Sequence, residues 1–175
     1  MAKLRKMLGS VDNLYIISLM RVIETQSKAT LGNWAVSCAE EKFLPIYETA
    51  CPGEQRLREI IEKVQEYLKG TLKLKEVKPL LREASQIAKD AEGQPVAQAA
   101  ARAVATACGT IQTPSNALGF VFYGAAAMAY SELGTEEKPE VYDTFASEVF
   151  QQILESLQQA AVPEEENPVK INWNC

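Results

Sequence analysis

The fold is decided by residues 95–131, which read PVAQAAARAVATACGTIQTPSNALGFVFYGAAAMAYS. Arg102 is the only charged residue in this stretch, and alanine, glycine and larger apolar residues fill most other positions. A helix that is apolar on every side is buried, and small residues let neighbouring backbones approach closely. The sequence Thr-Pro-Ser-Asn at 113–116 indicates a turn, where Thr113 or Ser115 is suited to cap the second helix. These features predict a buried helical hairpin.

Three segments outside this hairpin, at about 53–69, 75–91 and 139–160, carry apolar residues on one face only. Their apolar residues recur at three- and four-residue spacing, with charged residues between them. Such one-sided helices need a partner to cover the apolar stripe. No segment shows the alternating pattern of a strand. We predict an all-α, single-domain bundle of about seven helices around the central alanine-rich hairpin. The helices outside the hairpin are expected at 12–26, 30–50 with a break near Pro45, 53–69, 75–91 and 139–160.

Length and composition agree with a single core. A chain of 175 residues with 47% hydrophobic residues is of the size that buries one core. We expect the helical domain to span residues 1–161. The remaining residues, 162–175, are rich in proline and glutamate and are expected to form an extended tail. Val169, Ile171 and Trp173 are the tail residues suited to dock onto the domain.

Acidic residues are concentrated near the C-terminal end of the chain, whose net charge is −5. Residues 132–166 contain ten acidic residues and a single base, Lys138. This disfavours nucleic acid as a partner, because phosphate contacts need Lys or Arg; a basic protein partner or a solvated helix face stays open. Residues 1–24 lack the apolar core of a signal peptide. Polar residues at 112–116 interrupt the longest uncharged stretch, so no membrane span is predicted. A cytoplasmic location is expected.

The chain contains no histidine, which removes the commonest general base and the commonest metal ligand. Cys38, Cys51, Cys108 and Cys175 are widely spaced, so we expect buried thiols and neither a disulfide framework nor a zinc site. No glycine motif for phosphate binding is present. We therefore expect no enzymatic activity, no cofactor and no metal. An enzyme built on carboxylates alone, for example around Glu40, is the remaining catalytic alternative.

Arg102 is the residue whose role the sequence leaves most open. It stands alone in an alanine-rich helix and is expected to be partly buried. Because an uncompensated buried charge costs about 3–5 kcal/mol, we expect an acidic partner, for which Glu40 and Glu48 are the candidates. An internal ion pair is the first interpretation. The second is a small-ligand-binding or regulatory domain, in which Trp34, Glu40 and Arg102 would line one pocket.

Three stretches of the sequence share their order and spacing with a known family. Residues 31–48 read LGNWAVSCAEEKFLPIYE, residues 52–58 read PGEQRLR, and residues 110–119 read TIQTPSNALG. The series resembles the Trp-Ala-x-x-Cys-Ala-Glu…Leu-Pro signature, the Pro-x-x-x-Arg-x-Arg segment and the central hairpin of bacterial putative immunity proteins with an all-helical domain. The resemblance covers about residues 28–133, and the closing Ile-Asn-Trp at 171–173 is similar to a family terminus.

This resemblance implies a non-enzymatic protein that binds directly to a toxin made by the same or a neighbouring cell. The expected partner is thus a protein toxin, and assembly into a homo-oligomer stays open. Arg56 and Arg58 are candidates for contact with that partner, the alternative being solvated helix-surface arginines. Relatives often carry histidines in the hairpin, where this chain has Gln112 and Asn116. Both keep hydrogen-bonding capacity but do not titrate near neutral pH. Their turn is the first place to look for function.

Overall fold

The computed structural model describes residues 3–173, and within them the secondary structure is entirely helical. The all-α prediction is confirmed. The break expected near Pro45 within residues 30–50 is present and divides that segment into two helices, because Pro45 lies in the first turn of the second helix and has no N–H to continue the first. The eight helices are α1 (Leu14–Ile23), α2 (Lys28–Lys42), α3 (Leu44–Ala50), α4 (Arg56–Leu68), α5 (Leu74–Asp90), α6 (Pro95–Gly109), α7 (Asn116–Leu133) and α8 (Pro139–Ala160).

Helices α6 and α7 form the predicted hairpin at the centre of the domain. They pack against each other more extensively than any other pair of helices. Gly124 of α7 shows how closely the elements approach: a Cβ atom added there would lie 2.2 Å from the ring of Phe43. Phe43 and Trp34 both meet Phe120 edge to face, with ring centroids 6.2 and 5.1 Å apart. Within residues 3–173, no helix is long and apolar enough to cross a membrane.

The turn between α6 and α7 differs from the prediction in one respect. Neither Thr113 nor Ser115 caps α7 with its side chain, although Ser115 does occupy the N-cap position. The backbone N–H groups of Leu118 and Gly119 instead donate to the carbonyl of Ser115 at 3.0 and 3.2 Å. Ser115 has helical dihedral angles, and an N-cap hydroxyl reaches the first-turn amides from extended backbone. The turn is therefore closed by backbone hydrogen bonds.

The other helices cover the hairpin on different sides. Helix α5 packs on α6 and α4, while α8 packs on α7, α1 and α2. Helices α2 and α3 also lie against the hairpin. The apolar stripes predicted for the one-sided helices face inward, as Ile61 of α4, Val77 of α5 and Ile153 of α8 are fully buried. Helix α5 and helix α8 therefore contact different members of the hairpin, which places their polar faces on separate surfaces.

The segment after α8 lies against the junction of α1 and α2. Gln26, only 2% exposed, receives the N–H of Val162 on its side chain and the N–H of Val169 on its backbone carbonyl, both at 2.8 Å. Glu165 accepts the Ser27 N–H and hydroxyl, each at 2.7 Å, and the Thr30 hydroxyl. A carboxylate at the start of a helix satisfies free N–H groups and suits the helix dipole. One acidic residue of the C-terminal end thus holds the N-cap residue of α2, Ser27, whose own hydroxyl accepts the Thr30 N–H at 3.2 Å.

Candidate functional site

Trp34 is a core residue that also borders a small surface cavity. Its indole N–H donates to the Ser156 hydroxyl at 2.9 Å, and its ring packs on Phe120. The cavity beside it has a volume of about 310 Å³, and its walls also include Cys38 and Lys42. Since the polar edge of Trp34 is already hydrogen-bonded and the side chain is 6% exposed, its contacts are those of a residue that joins α2 to α7 and α8.

The structure does not bring Glu40 or Glu48 to Arg102. Glu40 accepts a hydrogen bond from the Gln65 side chain at 3.1 Å, and Glu48 pairs with Arg58. Arg102 is partly buried, as expected, yet it forms no ion pair with any carboxylate among residues 3–173. It lines a different cavity from Trp34, and neither cavity includes Glu40. The predicted pairing is wrong because α2 and α3 turn these carboxylates toward α4.

Arg56 and Arg58 are both engaged within the chain. Arg58 holds the Glu48 carboxylate through two nitrogens, at 2.8 and 2.6 Å, and so ties α4 to α3. Arg56 grips Glu54 in the same way, at 2.9 Å for each contact. These hydrogen bonds lower the pKa of Glu48 and hold that of Glu54 at about 2. A partner that used either arginine would have to compete with a bidentate carboxylate.

Gln112 and Asn116 lie together at the rim of a cavity of about 670 Å³, which we call the turn cavity. Gln112 is exposed. Asn116 lies over Gly109, where an added Cβ would be 2.5 Å from the Asn116 side-chain nitrogen. The glycine therefore leaves room for the asparagine at the base of the turn. The polar turn that the sequence singled out thus forms one wall of a concave surface.

The opposite wall of the turn cavity is a basic face of α5 that the sequence analysis missed. It consists of Lys78, Arg82, Ser85 and Lys89, which follow one another at spacings of four, three and four residues. That spacing places all four on one side of a helix. The signal was present in the sequence, but the polar side of an amphipathic helix reads as a solvated surface unless its neighbours are known.

Lys89 also lines a second cavity of about 610 Å³, which we call the N-terminal cavity. Its other charged walls include Lys3, Lys6 and Arg102, together with Glu92. Lys89 lines both cavities, and we call the pair the basic groove. Six of its cations have no carboxylate partner within the described part of the chain. These six are Lys3, Lys6, Lys78, Arg82, Lys89 and Arg102.

The acidic surface lies on α8. Glu140, Glu148 and Glu155 are exposed, and their spacings of eight and seven residues place them on one side of that helix. Asp143 is held by Arg5 at 2.8 Å. The N-terminal part of α8 approaches the basic groove, because Arg5, which holds Asp143, also lines the N-terminal cavity. Glu148 and Glu155 line neither cavity, so this part of the acidic face lies outside the groove.

Cysteine and acidic side chains are the groups that could bind a metal ion in a chain without histidine. No cluster of three or more cysteine or acidic side chains suited to a metal ion occurs within residues 3–173. Cys38 and Cys108 are buried, and burial raises the pKa of each thiol to about 12. Cys51 is half-buried, and Cys175 lies outside the described residues. The buried position of Cys38 and Cys108 agrees with the sequence prediction.

Comparison with known families identifies the class of protein. The family described as Imm-5 like putative immunity protein matches residues 21–159. The match covers well over half of the chain, from within α1 to the end of α8, and includes most of the helical bundle. The chain belongs to this Imm-5 like family, as its sequence resemblance indicated. No curated protein and no solved structure matches it.

Proposed function

We propose that the protein is a non-enzymatic immunity protein that neutralises a protein toxin by binding to it. The observation that carries this proposal is membership of the Imm-5 like family over residues 21–159. Toxin binding requires a rigid surface whose shape and charge complement the toxin, and it does not require catalytic residues. The basic groove is such a surface, since it is built mainly on α5 and α6, which are packed against each other.

The side chains themselves favour binding over catalysis. The chain has no histidine. Glu40, the carboxylate considered as a catalytic candidate, accepts a hydrogen bond from Gln65, and Glu48 is held by Arg58. A carboxylate that receives two hydrogen bonds from arginine has a lowered pKa, as Glu48 does, and is a weak base near neutral pH. Neutralisation by occupying the toxin's surface requires none of these groups to react.

The proposal is tested with the protein encoded by the gene adjacent to this one in the source genome. Both chains are co-expressed, and the mixture is separated by size-exclusion chromatography with light scattering. We expect a stable complex of fixed stoichiometry and restored growth of cells that make the neighbouring protein. A neighbouring protein that arrests growth regardless of co-expression, with the two chains eluting separately, would contradict the proposal.

A further inference from the structure

We propose that the basic groove is the docking surface for an acidic segment of the partner protein, so that recognition depends on the cations of α5 and α6 and not on the acidic face of α8. This inference rests on the proposed function, since the segment belongs to the toxin. The acidic C-terminal end of the sequence suggests a basic partner surface, whereas the groove predicts an acidic one. The proposal rests on six cations without a carboxylate partner that line two cavities, both of which include Lys89 in their walls.

The composition of the groove indicates an anionic occupant. In the turn cavity, Lys78, Arg82 and Lys89 face a wall of amide and hydroxyl groups that includes Gln112 and Asn116, and no acidic side chain lines it. The N-terminal cavity contains a single acid, Glu92, among its cations. Cations without acidic partners in a concave surface concentrate the positive electrostatic field and attract acidic groups. The same residues would repel a basic toxin surface.

The length of the groove favours a peptide segment over a single small anion. Lys78 and Lys89 are eleven residues apart on α5, which corresponds to roughly 16 Å along a helix axis. An extended chain covers that distance with about five residues. The N-terminal cavity continues the surface toward Arg102 and Lys3. A short acidic strand or loop would therefore meet several cations in succession, whereas one phosphate-sized ion would meet only one or two.

The groove is poorly suited to nucleic acid. Single strands bind where aromatic rings stack on bases, yet no aromatic residue lines the turn cavity. Tyr130 is the aromatic residue of the N-terminal cavity. It is 4% exposed, and its hydroxyl donates to the Arg5 carbonyl at 2.6 Å, so its ring is not available for stacking. The acidic face of α8 would also repel phosphates that extended beyond the groove.

The chemistry of the groove is tested with a fluorescent peptide of eight glutamates, whose binding is followed by anisotropy. The groove variant is Arg82→Glu with Lys89→Glu, and its matched control is Lys69→Glu with Lys170→Glu, which changes the net charge equally at exposed lysines that lie outside both cavities and outside α5. We expect the groove variant to bind at least about tenfold more weakly and the control to stay within about twofold of the unmodified protein. Raising the salt concentration should weaken binding to the unmodified protein.

Four outcomes would overturn the proposal, and the first three concern the peptide, the control variant and nucleic acid. They are absence of peptide binding, an equal loss in the control variant, and tighter binding of a twelve-nucleotide single-stranded DNA than of the peptide. Displacement of the peptide by low concentrations of inorganic phosphate would identify a small-anion site and would also overturn it. Circular dichroism of both variants checks that they fold.

The neighbouring-gene protein separates this inference from the proposed function. If it forms a complex that the groove variant breaks and the control preserves, both stand. If it forms a complex with the groove variant as tightly as with the unmodified protein, the groove proposal fails while the proposed function survives. If the peptide binds as predicted and the neighbouring protein does not bind at all, the toxin-binding function fails. The groove would then bind acidic peptides, but it would not be the docking surface for this toxin.

Discussion

Gly124→Ala tests the packing of the central hairpin directly. The added methyl group would lie 2.2–2.6 Å from three ring atoms of Phe43, whereas carbon atoms in contact are about 3.5–4.0 Å apart. Phe43 is fully buried and meets Phe120 edge to face, so its ring has little space to move away. Overpacking of this kind costs about 1–3 kcal/mol, and an overlap this large belongs near the upper end. The higher helix propensity of alanine returns about 1 kcal/mol.

The expected net result is a loss of about 1–2 kcal/mol in the free energy of unfolding, or a fall in Tm of roughly 2–8 °C for a domain of this size. Gly119→Ala is the matched control in the same helix, because its nearest neighbour, the Thr106 methyl group, is 3.4 Å away, an ordinary contact. That variant should be more stable than the unmodified protein by about 0.5–1 kcal/mol. Urea unfolding followed by circular dichroism measures both. A Gly124→Ala protein as stable as the Gly119→Ala protein would refute the packing of Phe43 on the hairpin.

Further predictions concern single buried groups and pH. Thr110 is fully buried, and its hydroxyl finds no hydrogen-bond partner among residues 3–173. Thr110→Val should therefore leave the urea midpoint unchanged or raise the free energy of unfolding by about 1 kcal/mol. A fall of more than about 1 kcal/mol would mean that the hydroxyl has a hydrogen-bond partner. Iodoacetamide should label Cys51 before Cys38 and Cys108 in the folded protein, because burial raises the pKa of the latter two thiols to about 12; peptide mapping by mass spectrometry that found equal labelling would contradict this. Glu48 and Glu54 have pKa values below the 4.5 of a free carboxyl, so their contribution to stability is complete above that pH and is lost as the pH falls toward about 2. Glu48→Gln with Glu54→Gln should reduce the acid dependence of the urea midpoint, and an unchanged dependence would count against these ion pairs.

The helices could be predicted because their signals are local. Apolar spacing located α4, α5 and α8 to within a few residues, and the prolines and glycines near their ends mark where they start and stop. The hairpin was predictable for the same reason, since 37 residues with one charge have no exposed face. The capping of α7 was not, because whether Ser115 or the backbone closes the turn depends on the dihedral angles of one residue.

The candidate site could be predicted only in part, because it is formed by contacts between parts of the chain that are distant in sequence. The unpaired state of Arg102 follows from how α2 and α3 orient Glu40 and Glu48 toward α4, and no sequence pattern encodes that orientation. The hydrogen bonds between Glu165 and Ser27, the N-cap residue of α2, join residues 138 apart. The turn containing Gln112 and Asn116 was correctly singled out as a polar feature. Its basic opposite wall on α5 emerged only once the helices were packed together.

Under the proposed function, the protein would neutralise a toxin by binding to its surface and not by modifying it. The most direct measurement is an inhibition titration, in which the activity of the neighbouring-gene toxin is followed as the purified protein is added. A stoichiometric binder predicts a linear loss of toxin activity that ends at a fixed molar ratio, with full activity recovered after the two chains are separated under denaturing conditions and the toxin is refolded. Complete and lasting inactivation of the toxin by much less than one molar equivalent of the protein would show turnover and would contradict neutralisation by binding.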